Sequence, residues 1–210
     1  MTRVKICGLT DLHDARHALE CGADMLGFNF YSGSKRYLSP ENARKIVDQL
    51  SIGRENIGVF VNDTIDNVLR IADLVGLDGI QLHGQEDPEY VRTLRGRTDR
   101  SIIKAHRVRP GFEAPAHRDW TVDFHLFDSY SPGEWGGTGR TFDWKTLATD
   151  NDLFAFNTVF LAGGLTPENV AEAVRIVRPY AVDVAGGVES TPGRKDPKRV
   201  EDFIRNAKNA

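Results

Sequence analysis

Cysteine is scarce: Cys7 and Cys21 are the only two in 210 residues. Cys7 is expected at the end of the first strand and Cys21 just after the first helix, at opposite ends of the fold. A strand rises about 3.3 Å per residue, which puts the two thiols more than about 10 Å apart, beyond the reach of a disulfide. That excludes a disulfide-stapled secreted domain, and a reducing cytoplasm is the expected location. Long apolar runs are lacking too. No stretch approaches the roughly 20 apolar residues of a membrane span, so no membrane is expected as a partner. The first strand-like segment begins near the N-terminus, leaving no room for a signal peptide. Neither charge sign dominates, with 27 Lys and Arg against 30 Asp and Glu and a net charge of -3. Without a basic stripe, nucleic acid is not an expected partner. No linker or low-complexity tract interrupts the chain, so residues 1–210 read as one domain.

What is present is an alternation. Short apolar segments occur at Val4–Cys7, Met25–Phe30, Ile57–Val61, Gly79–Leu82, Ile102–Ala105, Val122–Asp128, Val159–Gly163 and Ala181–Ala185. Between them lie helical patterns. Glu41–Leu50 carries Ala43, Ile46, Val47 and Leu50 on one stripe. Ile65–Val75 carries Ile65, Val68, Leu69, Ala72 and Val75, and the last helix Val200, Phe203, Ile204 and Ala207. These follow the helical rule for one buried face. Ser39-Pro40-Glu41 and Thr166-Pro167-Glu168 each read as an N-cap with Pro at the first helical position. Strands alternating with helices make a parallel sheet, and eight of them close into an α/β (β/α)8 TIM barrel. Functional residues of such a barrel sit at the C-terminal strand ends.

The strand ends carry Cys7, Asn29, Asn62, Gln81, His83, His106, Arg107, Asp128, Gly163-Gly164 and Gly186-Gly187. A structural core would be apolar at these positions. The paired glycines follow strands 7 and 8, where a phosphate site recurs in these barrels. Glycine lets the backbone approach a ligand, and exposed amides bind phosphate. Cys7 has Gly8 as an open neighbour, and a modest depression of its thiol pKa would make it a base near neutrality. Asp128 follows Phe124, Leu126 and Phe127, an apolar setting that suits a general acid. The long loop after strand 6, from Ser131 to Trp144, has four glycines and two tryptophans and reads as a lid. Lys35 and Arg36 follow strand 2, with Lys35 read as a solvated surface charge. No paired-ligand spacing such as H-x-H links the histidines, so no metal is expected. His13, His17, His117 and His125 read as structural or exposed.

The chain resembles the phosphoribosylanthranilate isomerase family along its whole length. The resemblance rests on Lys5-Ile-Cys-Gly-Leu-Thr10, Ser34-Lys-Arg-Tyr37 and Gly79-Ile-Gln-Leu-His-Gly84. It continues with Asp128 and Gly136-Gly-Thr-Gly139, Phe160-Leu-Ala-Gly-Gly-Leu165 and Asp183-Val-Ala-Gly-Gly-Val-Glu189. It implies a cofactor-independent aldose–ketose isomerase of tryptophan biosynthesis. The reaction is an Amadori rearrangement of N-(5'-phosphoribosyl)anthranilate. Cys7 is then the general base, Asp128 the general acid, and Arg36 the partner of the anthranilate carboxylate. Lys5, Gln81 and His83 are expected as further substrate contacts, and Gly163, Gly164, Gly186 and Gly187 as the phosphate site. The expected assembly is a monomer or homodimer. Family members usually have serines where this chain has Ala185 and Gly186. The alternatives are a ribulose-phosphate epimerase-like barrel, a histidine-pathway aminoaldose isomerase, or a barrel that only binds a phosphometabolite.

Overall fold

Short polar side chains start most of the helices by accepting a backbone N–H that the first turn would leave unpaired. Asp11 caps α1 (Leu12–Glu20), and Ser39, followed by Pro40, caps α2 (Pro40–Val47). Thr64 caps α3 (Ile65–Val75), and Asp87 caps α4 (Pro88–Arg95). A computed structural model describes residues 1–50, 55–109, 111–112, 120–129, 143–148 and 159–210.

The strands are β1 (Arg3–Ile6), β2 (Met25–Asn29), β3 (Glu55–Phe60), β4 (Gly79–Leu82), β5 (Ser101–Val108), β6 (Phe124–Ser129), β7 (Val159–Leu161) and β8 (Ala181–Val184). They pair in sequence order, all parallel, and β1 closes on β8, so the expected eight-stranded barrel is present. A four-residue helix, α5 (Lys145–Ala148), precedes β7. After β7 comes α6 (Val170–Val177), and α7 (Pro197–Lys208) ends the fold under an Asp196 cap. Between β8 and α7 a two-stranded hairpin, β9 (Glu189–Thr191) and β10 (Arg194–Lys195), is added at the barrel end.

The apolar stripes read from sequence are the buried faces. Val68, Ala72 and Val75 of α3 are fully buried, as are Val200 and Phe203 of α7. They join Val4, Leu26, Phe28, Ile80 and Val182 in one core between barrel and helices. Among the described residues, no helix is long and apolar enough to cross a membrane.

Two local expectations need correcting. Helix α2 ends at Val47 rather than Leu50, with Asp48 as its C-cap. Helix α6 starts at Val170, not at the Thr166-Pro167 pair. There Asn169 turns back instead, accepting from the Thr166 N–H at 2.8 Å and donating to the Gly164 carbonyl at 3.0 Å. The pair thus shapes the loop after β7 rather than capping a helix. No helix lies between β5 and β6 among the described residues. The proposed lid with its Gly136-Gly-Thr-Gly139 block lies outside the described residues, apart from Asp143 and Trp144, and so does His117.

Candidate active site

Side chains entering the barrel alternate along each strand and stack in layers. The lowest layers are apolar, with Met25, Ile57, Ile103, Leu126, Phe160 and Ala181 packed together. Above them the interior turns polar. Lys5 of β1 lies in register with Asp183 of β8. Its ammonium donates to Asp183 Oδ1 at 3.0 Å and to Gln81 Oε1 of β4 at 2.8 Å. Two residues further up the strands come Cys7, His83 and Asp128.

Those three line one cavity of about 410 Å³ at the C-terminal strand ends. Gln81, Asp183, Tyr31, Lys35 and Arg36 also line it, as do Gly163, Gly164, Gly186 and Gly187. The expected site residues are therefore brought together, with one exception. Lys5 is fully buried and does not line the cavity. It sits beneath the floor, and its place is to hold Gln81 and Asp183.

His83 and Asp128 are both buried. His83 Nδ1 is 2.9 Å from Gln81 Nε2. Its Nε2 is 3.3 Å from Asp128 Oδ2, within ion-pair distance but off the line of a hydrogen bond. The chain Asp183–Lys5–Gln81–His83–Asp128 thus crosses the barrel from β8 to β6.

Burial pushes the Cys7 thiol above its ordinary pKa, Asp183 adds to this, and Lys5 and Lys195 offset it only in part. The direction is opposite to the depression that would make Cys7 a base near neutrality, because the sulfur is buried. Lys195 was missed by the sequence reading. Its buried ammonium donates to the Cys7 carbonyl at 2.6 Å, to the Ala185 carbonyl at 3.1 Å and to Glu189 Oε1 at 3.0 Å. Burial works against the Glu189 carboxylate, but Arg36 and Lys195 outweigh it and hold its pKa low. Arg36 Nε and Nη2 each donate to Glu189 at 2.7 Å. Lys35 is an exposed rim residue, as expected.

Gly163 and Gly164 have φ values of 83° and 65°, a left-handed turn that side-chain-bearing residues rarely make. Gly186–Val188 forms a single 3-10 turn after β8.

His106, Arg107 and Asn62 do not join the cavity. Strand β5 runs on to Val108, so His106 is mid-strand on the outer face. It packs on Phe127 and Trp120, with Nε2 2.9 Å from His125 Nδ1. Burial, with His125 and Lys104, holds its imidazole well below the ordinary pKa. Lying outside the cavity, it does not combine with His83 and Asp128 as a metal site. Asn62 belongs to the loop after β3, where its Oδ1 accepts from the Gln85 N–H at 2.6 Å.

The layered interior, the cavity at the strand ends and the opposed Cys7 and Asp128 define a TIM-barrel enzyme, with glycine loops after β7 and β8 at the usual phosphate position. Comparison with known proteins narrows this. A model of the N-(5'phosphoribosyl)anthranilate (PRA) isomerase family matches residues 4–206. The N-(5'-phosphoribosyl)anthranilate isomerase of Citrifermentans bemidjiense is 48% identical over 208 residues, spanning 99% of this chain and 98% of its own. The crystal structure of phosphoribosyl anthranilate isomerase from Thermotoga maritima superimposes with a TM-score of 0.87 at 42% identity, over 100% of both chains. A phosphoribosyl anthranilate isomerase solved in complex with reduced 1-(o-carboxyphenylamino)-1-deoxyribulose 5-phosphate gives 0.81 at 38%, again over 100% of both chains. The chain belongs to the phosphoribosylanthranilate isomerase family and is an isomerase.

Proposed function

We propose that this enzyme converts N-(5'-phosphoribosyl)anthranilate to 1-(2-carboxyphenylamino)-1-deoxyribulose 5-phosphate, with Asp128 as general acid and Cys7 as general base. One observation carries the reading. In a chain that matches the family over residues 4–206, both residues face a single cavity that also carries the glycines after β7 and β8.

The chemistry assigns the roles. Opening the ribose ring breaks the C1'–O4' bond, and an unprotonated alkoxide is a poor leaving group. Asp128 gives its proton to O4'. The resulting Schiff-base cation acidifies the C2' hydrogen. Cys7 as thiolate removes that proton, giving an enolamine. Cys7 returns its proton to C1' while the C2' hydroxyl gives up its own and a proton is restored to Asp128, so the ketone forms, atoms balance and no cofactor takes part. The phosphate is bound by backbone amides of Gly163, Gly164, Gly186 and Gly187. Anchoring at this distance from C1' and C2' orients the reacting atoms. Ala185 and Gly186 supply no hydroxyl, which costs about 0.5–1.5 kcal/mol for a missing hydrogen bond. Arg36 receives the anthranilate carboxylate at the rim. A cytoplasmic enzyme acting on a small phosphosugar fits these roles.

The test is a fluorescence assay for consumption of N-(5'-phosphoribosyl)anthranilate by the purified protein. Asp128→Asn keeps the shape but cannot release a proton. It should lower kcat about 10²–10⁴-fold with the affinity for a product analogue retained. More than about a tenth of wild-type kcat would remove Asp128 from the acid role.

A further inference from the structure

We infer that Lys5, acting through Gln81, fixes His83 as the Nε2–H tautomer, and that His83 is a positioning residue aimed at Asp128. An ammonium can only donate. The atom of Gln81 that meets Lys5 Nζ at 2.8 Å must therefore be its oxygen. This holds however the amide is drawn, since amide oxygen and nitrogen are otherwise hard to tell apart. The Gln81 nitrogen then faces His83 Nδ1 at 2.9 Å and donates to it. Nδ1 is an acceptor, so the ring proton of neutral His83 lies on Nε2. That nitrogen is buried and 3.3 Å from Asp128 Oδ2.

Two consequences follow for the acid role proposed above, on which this inference rests. A donor on Oδ2 favours Oδ1 as the oxygen that carries the transferable proton, since the Ser129 hydroxyl reaches Oδ1 only at 3.5 Å and can rotate to accept from it. Oδ1 lies on the Gly163 side, 3.0 Å from where a β-carbon on that glycine would stand. Gly163 lines the cavity, so Oδ1 sits toward the space where substrate is held. The second consequence is energetic. A donor bonds a carboxylate more strongly than a neutral carboxyl. Its stabilisation therefore grows as Asp128 gives up its proton, which is the condition for helping the step rather than the resting state. The contact is misaligned at 3.3 Å, and the inference requires it to straighten onto Oδ2 as charge develops there.

Asp183 completes the device. Its carboxylate pairs with the buried Lys5 at 3.0 Å and keeps it charged, which the polarity of the chain requires.

Long-range proton–nitrogen NMR on the resting enzyme tests the tautomer without turnover, with the His83 signals assigned by their loss in His83→Leu. The expected result is a protonated Nε2 and a bare Nδ1. A protonated Nδ1 overturns the inference. In Gln81→Glu the new carboxylate still accepts from Lys5, but its second oxygen demands a donor, so Nδ1 should become protonated. A bare Nδ1 in that variant also overturns it. Kinetics test the consequence. His83→Leu should lower kcat about tenfold or more with little change in KM. His83→Gln, which returns an N–H near the same place, should recover most of the loss. Unchanged kcat in His83→Leu, or no recovery in His83→Gln, removes the positioning role. An active Asp128→Asn enzyme with the expected tautomer would instead fault the acid assignment, so the two failures are distinguishable.

Discussion

Arg36 and Glu189 meet edge to edge, with Nε and Nη2 of the guanidinium each 2.7 Å from a carboxylate oxygen. The pair joins the loop after β2 to the first strand of the hairpin after β8. Lys195 grips the same carboxylate from below at 3.0 Å. The internal carboxylate sets the plane of the guanidinium.

The first prediction follows from that pairing. Arg36→Met should weaken binding of the reduced carboxyphenylamino-deoxyribulose phosphate about 10–100-fold, the worth of a charged hydrogen bond. Ribose 5-phosphate should bind nearly as before. Arg36→Lys should not restore affinity, because an ammonium cannot replace a two-pronged edge. Titration calorimetry with both ligands decides this. Equal weakening of the two would show that Arg36 acts on the loop and not on the carboxylate.

Gly187 gives a second prediction. A β-carbon there would lie 1.8 Å from the Leu165 carbonyl oxygen. The obstacle is backbone, so no rotamer change relieves it. Gly187→Ala should destabilise the protein by about 1–3 kcal/mol through overpacking. It should also separate the two loops and abolish competitive inhibition by inorganic phosphate. Gly96 is the control, since a β-carbon there meets nothing closer than 3.5 Å. Gly96→Ala should leave the melting temperature unchanged. If Gly187→Ala melts early yet keeps phosphate inhibition, its glycine serves packing alone.

Much of this was legible in the sequence. The eight strands, their order and the polar strand ends follow from short apolar segments at near-regular intervals. Period two then separates Lys5, Cys7, Gln81, His83 and Asp128 from their outward neighbours once each strand is phased. The phase failed at β5, where the strand continues past His106 to Val108 and His106 turns outward. Asp183 had a signal like that of Asp128, a carboxylate inside an apolar strand, and it was read only as part of a glycine motif. Lys195 had none. It lies in a polar hairpin, and only the closed fold carries its ammonium to the Cys7 carbonyl, 188 residues away in sequence. The direction of the Lys5–Gln81–His83 chain was equally hidden, because it depends on which atoms of β1 and β4 face one another.

Beneath the His83 loop lies the basis of a third prediction. Glu86 is buried, and its carboxylate accepts from the Asn62 N–H at 2.8 Å, the Gly84 N–H at 2.9 Å and Lys104 Nζ at 2.7 Å. Glu86→Ala would leave the buried Lys104 charge unpaired and two backbone donors unbonded. The expected cost is about 3–5 kcal/mol in urea unfolding. Adding Lys104→Met should recover part of it by removing the stranded charge. A loss below about 1 kcal/mol in the single variant would show that water replaces the carboxylate and that the loop does not depend on it.

The two thiols supply the last prediction, and each serves as the other's control. Cys7 is buried, and burial outweighs the pull of Lys5 and Lys195, so its pKa stands above that of an ordinary thiol. Alkylation by iodoacetamide requires the thiolate. The rate at Cys7 should therefore be low near neutrality and climb with pH through a midpoint above the ordinary thiol value of about 8.5. Its modification should track loss of turnover one for one, and a product analogue should protect it by filling the cavity that Cys7 lines. Cys21 lies half-buried beside His17, with Sγ 3.4 Å from Nε2 and no place in the cavity. Its modification should be indifferent to the analogue and to activity. Lys195 tests the electrostatic account. Lys195→Met removes one of the two cations that favour the Cys7 thiolate, so the alkylation midpoint should move further up, in the same direction as burial. Peptide mapping by mass spectrometry at a series of pH values reads both cysteines in one experiment. Full modification of Cys7 with turnover intact would take it out of the mechanism. A Cys7 midpoint below the ordinary value in the unliganded enzyme would mean that Lys5 and Lys195 outweigh burial and that the thiol is already poised as a base.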